Sequence, residues 1–288
     1  MGLLQNDTSI TEQDIARLTQ LALATNVPEA TFNMAWRVIK RYFPATVVGV
    51  DKLPEEPTLF IGNHSLFGID AVIFMVTMYQ NTGRFIRPMA DNVFFETPLG
   101  EYLMKFGLVL ANPQVCAELM EAGEDLLVFP GGAVESTKPE SEKYTLCWRE
   151  RYGFVRMAAQ HGYDIMPFGM VGPDDCYHHL MERDELLDSW PGRLLARWGL
   201  TEDLREDILP PLPLGLFNTL IPRPQPAFLA FGDPVEVPSY RGKNVPKGVL
   251  TSARAETAAQ VEALVRDMLV LRAQNRHRNG WLRRIMLS

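Results

Sequence analysis

The sequence is poor in cysteine, has fewer basic than acidic residues, and contains no apolar run of membrane-spanning length. Its three cysteines, Cys116, Cys147 and Cys176, have no paired spacing such as C-x-x-C, which favours free thiols in a reducing compartment. The stretch nearest to spanning length, residues 66–79, contains Asp70 and is shorter than the roughly 18 apolar residues that a spanning helix requires. The amino terminus has neither a basic start nor an apolar run, so neither a secretory signal nor a membrane anchor is expected.

The balance of charge excludes another class of protein. The 28 Lys and Arg against 35 Asp and Glu give a formal charge of −7, whereas a protein that coats nucleic acid needs a concentrated positive face. We therefore expect a cytoplasmic protein with no nucleic-acid partner. An acidic body can still carry a local basic patch, so contact with the inner face of a membrane stays open.

The chain does have hydrophobic material for a large core, since 47% of its 288 residues are hydrophobic. This length allows one large α/β domain or two domains without disulfide bonds. Strand-like and helix-like segments alternate from residue 45, which is typical of an α/β fold with a mostly parallel central sheet flanked by helices. Strands are expected at residues 45–50, 58–62, 85–89, 125–129, 165–171 and 227–231 and after Gly107, and helices over 70–79 and 146–160 and from Pro98 and Pro113.

Further helices are expected at both ends of this alternating region. Two lie before residue 45, the first capped by Ser9 or Thr11 and the second over residues 29–42. A long one, capped by Thr251 or Ser252, runs to about residue 275. The predicted organisation has three parts: an N-terminal helical segment over residues 1–44, an α/β domain over 45–240 with a proline-rich insertion at about 205–225, and a C-terminal helix and basic amphipathic tail over 241–288.

Two stretches have the composition of a membrane contact. The last thirteen residues combine four arginines with Trp281, Leu282 and Ile285 in a short basic amphipathic tail, which suits an anionic membrane face. A solvated terminus that folds back on the body is an equally good interpretation of this tail. The apolar, proline-rich residues 210–221 are expected to pack either on the body or on a lipid.

The most informative segment for chemistry is residues 61–71, IGNHSLFGIDA. His64 follows a predicted strand and Asp70 begins the next helix, so the two side chains can meet at one edge of the sheet. If Asp70 accepts the proton on one ring nitrogen, the other nitrogen can take a proton from a hydroxyl. The alternative is that Asp70 is only a helix cap and His64 an ordinary turn residue.

A second candidate segment is residues 126–136, LLVFPGGAVES, in which a buried strand ends in Pro130, Gly131 and Gly132. Paired glycines after a strand let backbone N–H groups approach a ligand, and two of them aimed at one point form an oxyanion or phosphate site. The alternative is a tight turn with no ligand.

Two other groups of residues carry weaker patterns. Residues 174–179, DDCYHH, contain metal-ligand types, but adjacent imidazoles on a helix point to different faces, so a polar loop leading into a helix is favoured and no metal is expected. Ser65 lies beside His64, yet neither G-x-S-x-G nor a strand-to-helix elbow surrounds it, so a serine nucleophile is not favoured.

Four segments follow one another along the chain: Asn63-His64 with Asp70, residues 91–107, residues 129–135 and residues 165–175. In this order and at these intervals they resemble the glycerolipid acyltransferase superfamily, over about residues 47–172. The resemblance implies that His64 is the catalytic base and Asp70 its supporting carboxylate, although the spacing between them is one residue longer than the usual N-H-x4-D loop.

The departures from the superfamily pattern bear on the acceptor. The arginines that would bind a phosphate are missing, because no arginine follows Gly107 closely and Val134 occupies the position of the other. Without guanidinium groups a glycerol phosphate would lose its strongest contacts, so an acceptor without a phosphate is expected. The form P-G-G-x-x-E, which ends at Glu135, looks more like the branch with type 2 mono- and diacylglycerol acyltransferases and phytyl ester synthases.

The resemblance also implies the substrates: acyl-CoA as co-substrate, a lipid-like alcohol as acceptor, and no further cofactor. His64, oriented by Asp70, would remove the hydroxyl proton as the oxygen attacks the thioester carbonyl. Alternatives are a lysophosphatidate or other lysophospholipid acceptor, hydrolysis of acyl-CoA by water, and a lipid-binding protein of the same fold without catalysis.

The remaining residues of the predicted site surround the P-G-G turn. Backbone N–H groups near Gly131 and Gly132 are expected to stabilise the oxyanion. The charged residues 140–143 are most simply a solvated loop; the alternative is that Lys138 and Lys143, near the turn, contact the CoA phosphates. The full set of expected oxyanion- or substrate-binding residues is Asn63, Pro130, Gly131, Gly132 and Glu135.

Overall fold

A computed structural model describes residues 10–182 and 211–275, together with Glu185 and Ser189. The described chain begins with the two predicted helices, α1 (Glu12–Ala24) and α2 (Glu29–Tyr42). Thr11 and Asp14 cap α1 reciprocally, because each side chain accepts the backbone N–H of the other residue. α2 follows Pro28, whose fixed φ suits the start of a helix. Both predictions are confirmed.

A single sheet forms the centre of the described part of the fold. Its strands are β1 (Ala45–Val48), β2 (Leu59–Gly62), β3 (Ile86–Ala90), β4 (Val109–Leu110), β5 (Asp125–Val128), β6 (Ile165–Val171) and β9 (Ala227–Phe231). Their order is β1-β9-β6-β2-β5-β3-β4. The strands from β6 to β4 in this order are parallel, whereas β9 runs antiparallel to β6 and parallel to β1. The prediction of a mostly parallel sheet is therefore confirmed.

Helices cover both faces of this sheet. The first face carries α1 and the second carries α2, each with its own buried apolar cluster. Both central strands, β2 and β6, are consequently buried along their whole length. The remaining helices are α3 (Ile69–Thr82), α4 (Asn92–Phe95), α5 (Pro98–Met104), α6 (Pro113–Glu121), α7 (Gly132–Ser136), α8 (Gly153–His161) and α9 (Lys247–Asn275).

The long helix α9 packs directly on β6 at Gly169. A Cβ atom built there would lie 2.8 Å from both the Leu264 Cβ and the Val265 backbone nitrogen. Glycine is required because the helix backbone approaches the strand this closely. The α9 face that includes Val261 and Met268 is buried, as the helical spacing of its apolar residues predicts.

Helix α8 begins later than predicted. The helix expected over residues 146–160 starts at Gly153, although it ends beside Gly162 as expected. Before it, Trp148 is buried and Arg149 has a φ of 47°, a left-handed conformation that a right-handed helix cannot contain. The Cys147 N–H donates to a side chain rather than to a helical carbonyl. Tertiary contacts therefore override the local helical pattern in this stretch.

Two other elements differ from prediction. Residues 173–175 form a 3-10 turn that leads into β7 (His178–Met181), not into a helix, and β7 pairs antiparallel with β8 (Leu212–Leu214). Helix α9 begins at Lys247, four residues before the expected cap, since the Leu250 N–H already donates to the Pro246 carbonyl.

No helix within residues 10–182 or 211–275 combines the length and the hydrophobicity needed to cross a bilayer. Residues 276–288, the basic tail predicted to contact a membrane, lie outside the described residues. Residues 205–210 of the predicted insertion do so as well.

Candidate active site

The carboxyl ends of β2, β5 and β6 meet at one edge of the sheet, because these strands are parallel neighbours. His64 follows β2, the Pro130-Gly131-Gly132 turn follows β5, and Gly172 follows β6. The fold thus brings together three of the four segments that resemble acyltransferase motifs.

His64 and Asp70 form a hydrogen-bonded pair at this edge. The His64 Nδ1 lies 2.9 Å from the Asp70 Oδ2, and the carboxylate is only 1% exposed. The same oxygen accepts the Ser65 N–H at 2.8 Å, which fixes the carboxylate at the first turn of α3. With Nδ1 donating to the carboxylate, Nε2 is the acceptor nitrogen of the ring. The longer spacing between the two residues does not prevent this contact.

The His64 ring is also held by stacking. It lies on the Phe129 ring with centroids 4.1 Å apart and planes 12° from parallel. Phe129 follows β5, so the aromatic contact joins the ends of β5 and β2. The His64 side chain remains 16% exposed. The ring is therefore oriented from its face and from its Nδ1 edge while keeping access to solvent.

Glu135 is fully buried beneath the His64 loop. One carboxylate oxygen accepts the His64 N–H at 2.8 Å and the other accepts the Cys147 N–H at 3.1 Å. Burial raises the pKa of Glu135, and the positive charge of Lys138 opposes this effect. The sequence places Glu135 beside the substrate, but in the structure both oxygens hold protein backbone.

Lys138 is buried on the other side of the same loop. Its Nζ donates to the His64 carbonyl at 2.9 Å and lies 3.3 Å from the Asp174 Oδ2, and its side chain is 5% exposed. The Tyr144 N–H also donates to Asp174. Burial raises the pKa of Asp174 above its usual value, and the positive charge of Lys138 offsets this effect only in part. The ammonium expected at the CoA phosphates is thus enclosed by protein groups.

The second lysine expected at the phosphates is also paired. Lys143 Nζ lies 2.6 Å from Glu140 Oε1 and 3.6 Å from Asp175 Oδ1. Asp175 accepts further hydrogen bonds from the Tyr144 hydroxyl and the Arg272 guanidinium. Lys143 therefore belongs to a network of charges that reaches α9.

Asn63 joins the ends of β2 and β6. Its side-chain amide donates to the Met170 carbonyl at 2.9 Å, and its oxygen accepts the Met170 N–H at 2.8 Å. Asn63 is 3% exposed, so both of its polar groups are used inside the fold. The resemblance implies a place beside the substrate for Asn63; in the structure its side chain connects the two strands beneath His64.

The P-G-G turn leaves one of the two expected N–H groups available. The Gly132 N–H donates to the Phe129 carbonyl at 3.0 Å, whereas the Gly131 N–H has no acceptor among the described residues. The Pro130 carbonyl accepts Arg151 Nη1 at 3.0 Å. Of the two glycine N–H groups, that of Gly131 is therefore the one left to donate to an oxyanion at this turn.

Ser65 is not arranged as a nucleophile. It is 2% exposed, and its hydroxyl has no hydrogen-bond partner among the described residues, His64 included. A serine nucleophile requires a hydrogen bond to its base. Its backbone N–H instead supports Asp70.

Residues 174–179 divide their metal-ligand groups between separate contacts. Asp174 and Asp175 pair with Lys138 and Arg272. A ligand set of another composition lies nearby: atoms of Glu140, His179 and Glu182 lie within 4.8 Å of one another. Burial alone would raise the pKa of Glu140, but hydrogen bonds that include one from Lys143 lower it to about 2. Hydrogen bonds among Glu140, His179 and Glu182 explain why these three residues lie together.

Sequence patterns did not identify three residues that surround His64: Phe129 as a stacking partner, Lys138 as a buried donor and Asp174 as the partner of that lysine. Phe129 and Lys138 lie next to the P-G-G turn, which is the only signal that connects them with the site. Their roles depend on burial, which the sequence does not display.

Comparisons with known proteins agree on one family. A family model described as diacylglycerol acyltransferase matches residues 28–244. Phytyl ester synthase 1 of Arabidopsis thaliana chloroplasts is 30% identical over 149 residues, which are 49% of this chain and 21% of that protein. Diacylglycerol O-acyltransferase 2 of Bos taurus is 27% identical over 221 residues, 70% of this chain and 59% of that protein. The chain therefore matches about a fifth of the first relative's length.

Among solved structures, the chain is similar to the 1-acyl-sn-glycerophosphate (LPA) acyltransferase PlsC from Thermotoga maritima. The superposition covers 86% of this chain and 87% of the PlsC chain, with a TM-score of 0.46 and 13% sequence identity.

Proposed function

The chain belongs to the diacylglycerol acyltransferase family, and on that premise we propose that it transfers a fatty acyl group from acyl-CoA to the hydroxyl of a neutral, lipid-like alcohol. The observation that carries the proposal is the His64–Asp70 pair, with a buried carboxylate 2.9 Å from Nδ1 at a partly exposed ring. This is the arrangement that a general base for a hydroxyl needs.

The proposed reaction is a direct transfer. The acceptor hydroxyl lies between His64 Nε2 and the thioester carbonyl, and Nε2 takes its proton as the oxygen attacks carbon. Asp70 stabilises the imidazolium that forms. The Gly131 N–H stabilises the oxyanion, and the CoA thiolate leaves as the carbonyl re-forms, taking the proton from His64. No covalent enzyme intermediate is needed.

The absence of arginine at two sequence positions supports a neutral acceptor. Val134 stands where the superfamily has an arginine, and no arginine closely follows Gly107. The two lysines beside the P-G-G turn are engaged with carboxylates. A dianionic acceptor would find no cation among them to bind it.

The proposal includes a peripheral contact with a lipid surface, through what we call the apolar rim: Phe67, Phe217, Leu220 and Ile221. These side chains are 53%, 83%, 69% and 56% exposed. Phe67 and Phe217 have φ values of 60° and 54°, which are unusual for bulky residues. The four side chains form an apolar surface that the described part of the protein leaves largely uncovered, which fits contact with a lipid surface.

The apolar rim lies close to the His64 loop in sequence and is connected to the end of α2. Phe67 is three residues from His64, and its ring packs edge-on against Tyr177, whose hydroxyl donates to the Leu220 carbonyl. Tyr42, at the end of α2, donates to the Pro222 carbonyl at 2.5 Å. The helix that carries Tyr42 also carries the exposed residues Arg37, Lys40 and Arg41, on a chain of negative net charge. Exposed apolar residues together with such cations fit an anionic lipid surface.

The activity is tested by thiol-detected CoA release from a long-chain acyl-CoA, with monoacylglycerol, diacylglycerol, a long-chain alcohol, lysophosphatidate or no acceptor. We expect release with the neutral alcohols, and a fall of about 100-fold or more in His64→Ala. Asp70→Asn should also be strongly impaired, because it favours the wrong histidine tautomer.

Each other outcome supports a named alternative. Turnover with lysophosphatidate alone contradicts the neutral acceptor, and release that needs no acceptor indicates a thioesterase. Equal rates in wild type and His64→Ala contradict the site assignment. Acyl-CoA binding without turnover in any mixture indicates a lipid-binding protein of this fold.

A further inference from the structure

Two buried residues hold the His64 peptide groups from opposite sides. Glu135 accepts the His64 N–H at 2.8 Å, and Lys138 donates to the His64 carbonyl at 2.9 Å. The two residues are three positions apart on and just after α7. Neither reaches the surface, since Glu135 is 0% and Lys138 7% exposed.

A histidine that stands on a loop needs such restraint. Its ring is set by Asp70 and Phe129, but the position of the ring also depends on the backbone that carries it. Both polar groups of this residue's backbone are engaged by charged side chains, and hydrogen bonds to charged groups are the stronger kind. Buried charges cost free energy, so their presence here requires a compensating use.

The lysine also joins the His64 loop to the end of β6. Its second partner, Asp174, lies in the turn that follows β6 and accepts the Tyr144 N–H as well. Glu135 makes a similar connection through the Cys147 N–H. Glu135 and Lys138 thus link the His64 backbone to the segment after β5 and to the turn after β6.

We propose that Glu135 and Lys138 are positioning residues that clamp the His64 peptide groups and so set the place of Nε2 relative to the thioester. Neither contacts substrate. This inference rests on the proposed function and replaces two expectations from sequence, a substrate contact for Glu135 and a CoA phosphate contact for Lys138.

The test separates positioning from stability with a paired variant. Lys138→Met leaves Asp174 buried without its cation, so it should lose both stability and turnover. Lys138→Met/Asp174→Asn removes that unpaired charge and should recover much of the melting temperature. It still lacks a donor to the His64 carbonyl, so we expect kcat about 10- to 100-fold below wild type. The KM for acyl-CoA should stay within about twofold of wild type.

A matched control removes an ion pair elsewhere, between a buried arginine and a partly exposed glutamate. Arg87 is 2% exposed and pairs with Glu124 at 2.9 Å, where β5 begins at the other edge of the sheet. Arg87→Met/Glu124→Gln should change the melting temperature but leave kcat near wild type. Glu135→Gln, which keeps the shape but loses one acceptor, should lower kcat to a similar degree as the lysine pair variant.

A third measurement uses the His64→Ala background. If Lys138 and Glu135 act through His64, their substitutions should not further reduce the residual rate there. A paired variant with wild-type kcat, or an additional loss in the His64→Ala background, overturns the inference. A wild type that releases no CoA overturns the proposed function instead, so the two failures are distinguishable.

Discussion

Gly131 shows how little space exists beneath the His64 loop. A Cβ atom at this position would lie 2.0 Å from the Glu135 Oε2 and 2.4 Å from the Glu135 Cβ. The backbone there is ordinary, with φ −68° and ψ −26°, so alanine is excluded by the neighbouring side chain and not by conformation. The second glycine of the turn is needed for a different reason, because Gly132 has a φ of 49°.

We therefore predict that Gly131→Ala displaces Glu135 from the His64 and Cys147 N–H groups. The overpacking should lower the free energy of unfolding by about 1–3 kcal/mol, and CoA release should fall sharply. Urea unfolding and the CoA assay measure the two effects.

Gly153→Ala is the matched control, since nothing lies within 4 Å of its Cβ at the start of α8. It should keep full activity and gain stability of up to about 1 kcal/mol. Full activity in Gly131→Ala would contradict the close packing described for Glu135.

At the residue scale, the sequence was most informative where motif and topology agree. His64 and Asp70 could be expected to meet because one follows a strand and the other begins the next helix. The resemblance to acyltransferase motifs implies a substrate-binding role for Glu135 and Asn63, whereas in the structure the side chains of both are bonded to backbone in the core. Spacing along the chain does not reveal which polar groups are buried.

At the scale of elements, α9 is connected to the site region by one ion pair. Arg272 donates to the Asp175 carboxylate and to the Tyr144 hydroxyl at 2.9 Å, and Asp175 lies just after β6. Burial alone would raise the pKa of Asp175, but Arg272, Tyr144 and Lys143 together hold it below its usual value. Because the folded pKa is lowered, this carboxylate stabilises the fold above the unfolded pKa of about 4 and loses that effect as pH falls.

Arg272→Met should accordingly lower the free energy of unfolding by about 1–3 kcal/mol at pH 7. The difference from wild type should narrow as pH falls from about 4 through the lower pKa of folded Asp175, where this carboxylate becomes protonated. Urea unfolding at pH 7, 5, 4 and 3 measures this dependence.

Arg17→Met provides the comparison, since Arg17 and Glu101 form an exposed ion pair with side chains 48% exposed on both partners. Its stability should match wild type at every pH. A constant difference between Arg272→Met and wild type across the pH range would show that Asp175 is not the group involved.

The elements themselves could largely be predicted, because alternating apolar segments bounded by proline and glycine mark most of them. The stretch before α8 could not, since it is helical in pattern but is drawn into the core by Trp148 and by the bond from Cys147 to Glu135. The β7–β8 pairing was also missed, because its two strands come from segments far apart in sequence.

At the scale of the molecule, the apolar rim predicts how the protein meets lipid. Phe217→Ser/Leu220→Ser/Ile221→Ser should lower the partition coefficient onto vesicles with an anionic lipid by at least about tenfold, since each side chain would lose its apolar transfer free energy. Vesicle co-sedimentation measures binding. CoA release with a soluble short-chain acceptor should not change, because none of the three residues touches His64.

Leu21→Ser is the control for this variant, because Leu21 is also an exposed apolar residue, 42% exposed, but lies on α1. Its vesicle binding should equal that of wild type. Equal binding of the triple variant and wild type would mean that the rim does not contact lipid.

The position of β9 has a consequence for the order in which the fold can form. Residues 227–231 lie between β1 and β6 and pair with both, so β1 has no partner in the described sheet other than a strand much later in the chain. Such long-range pairing closes slowly. On the ribosome, the His64 loop and β6 emerge before β9, so the edge of β6 stays open until β9 arrives. During that interval a nascent chain exposes an unpaired, fully apolar strand edge to chaperones and to other chains.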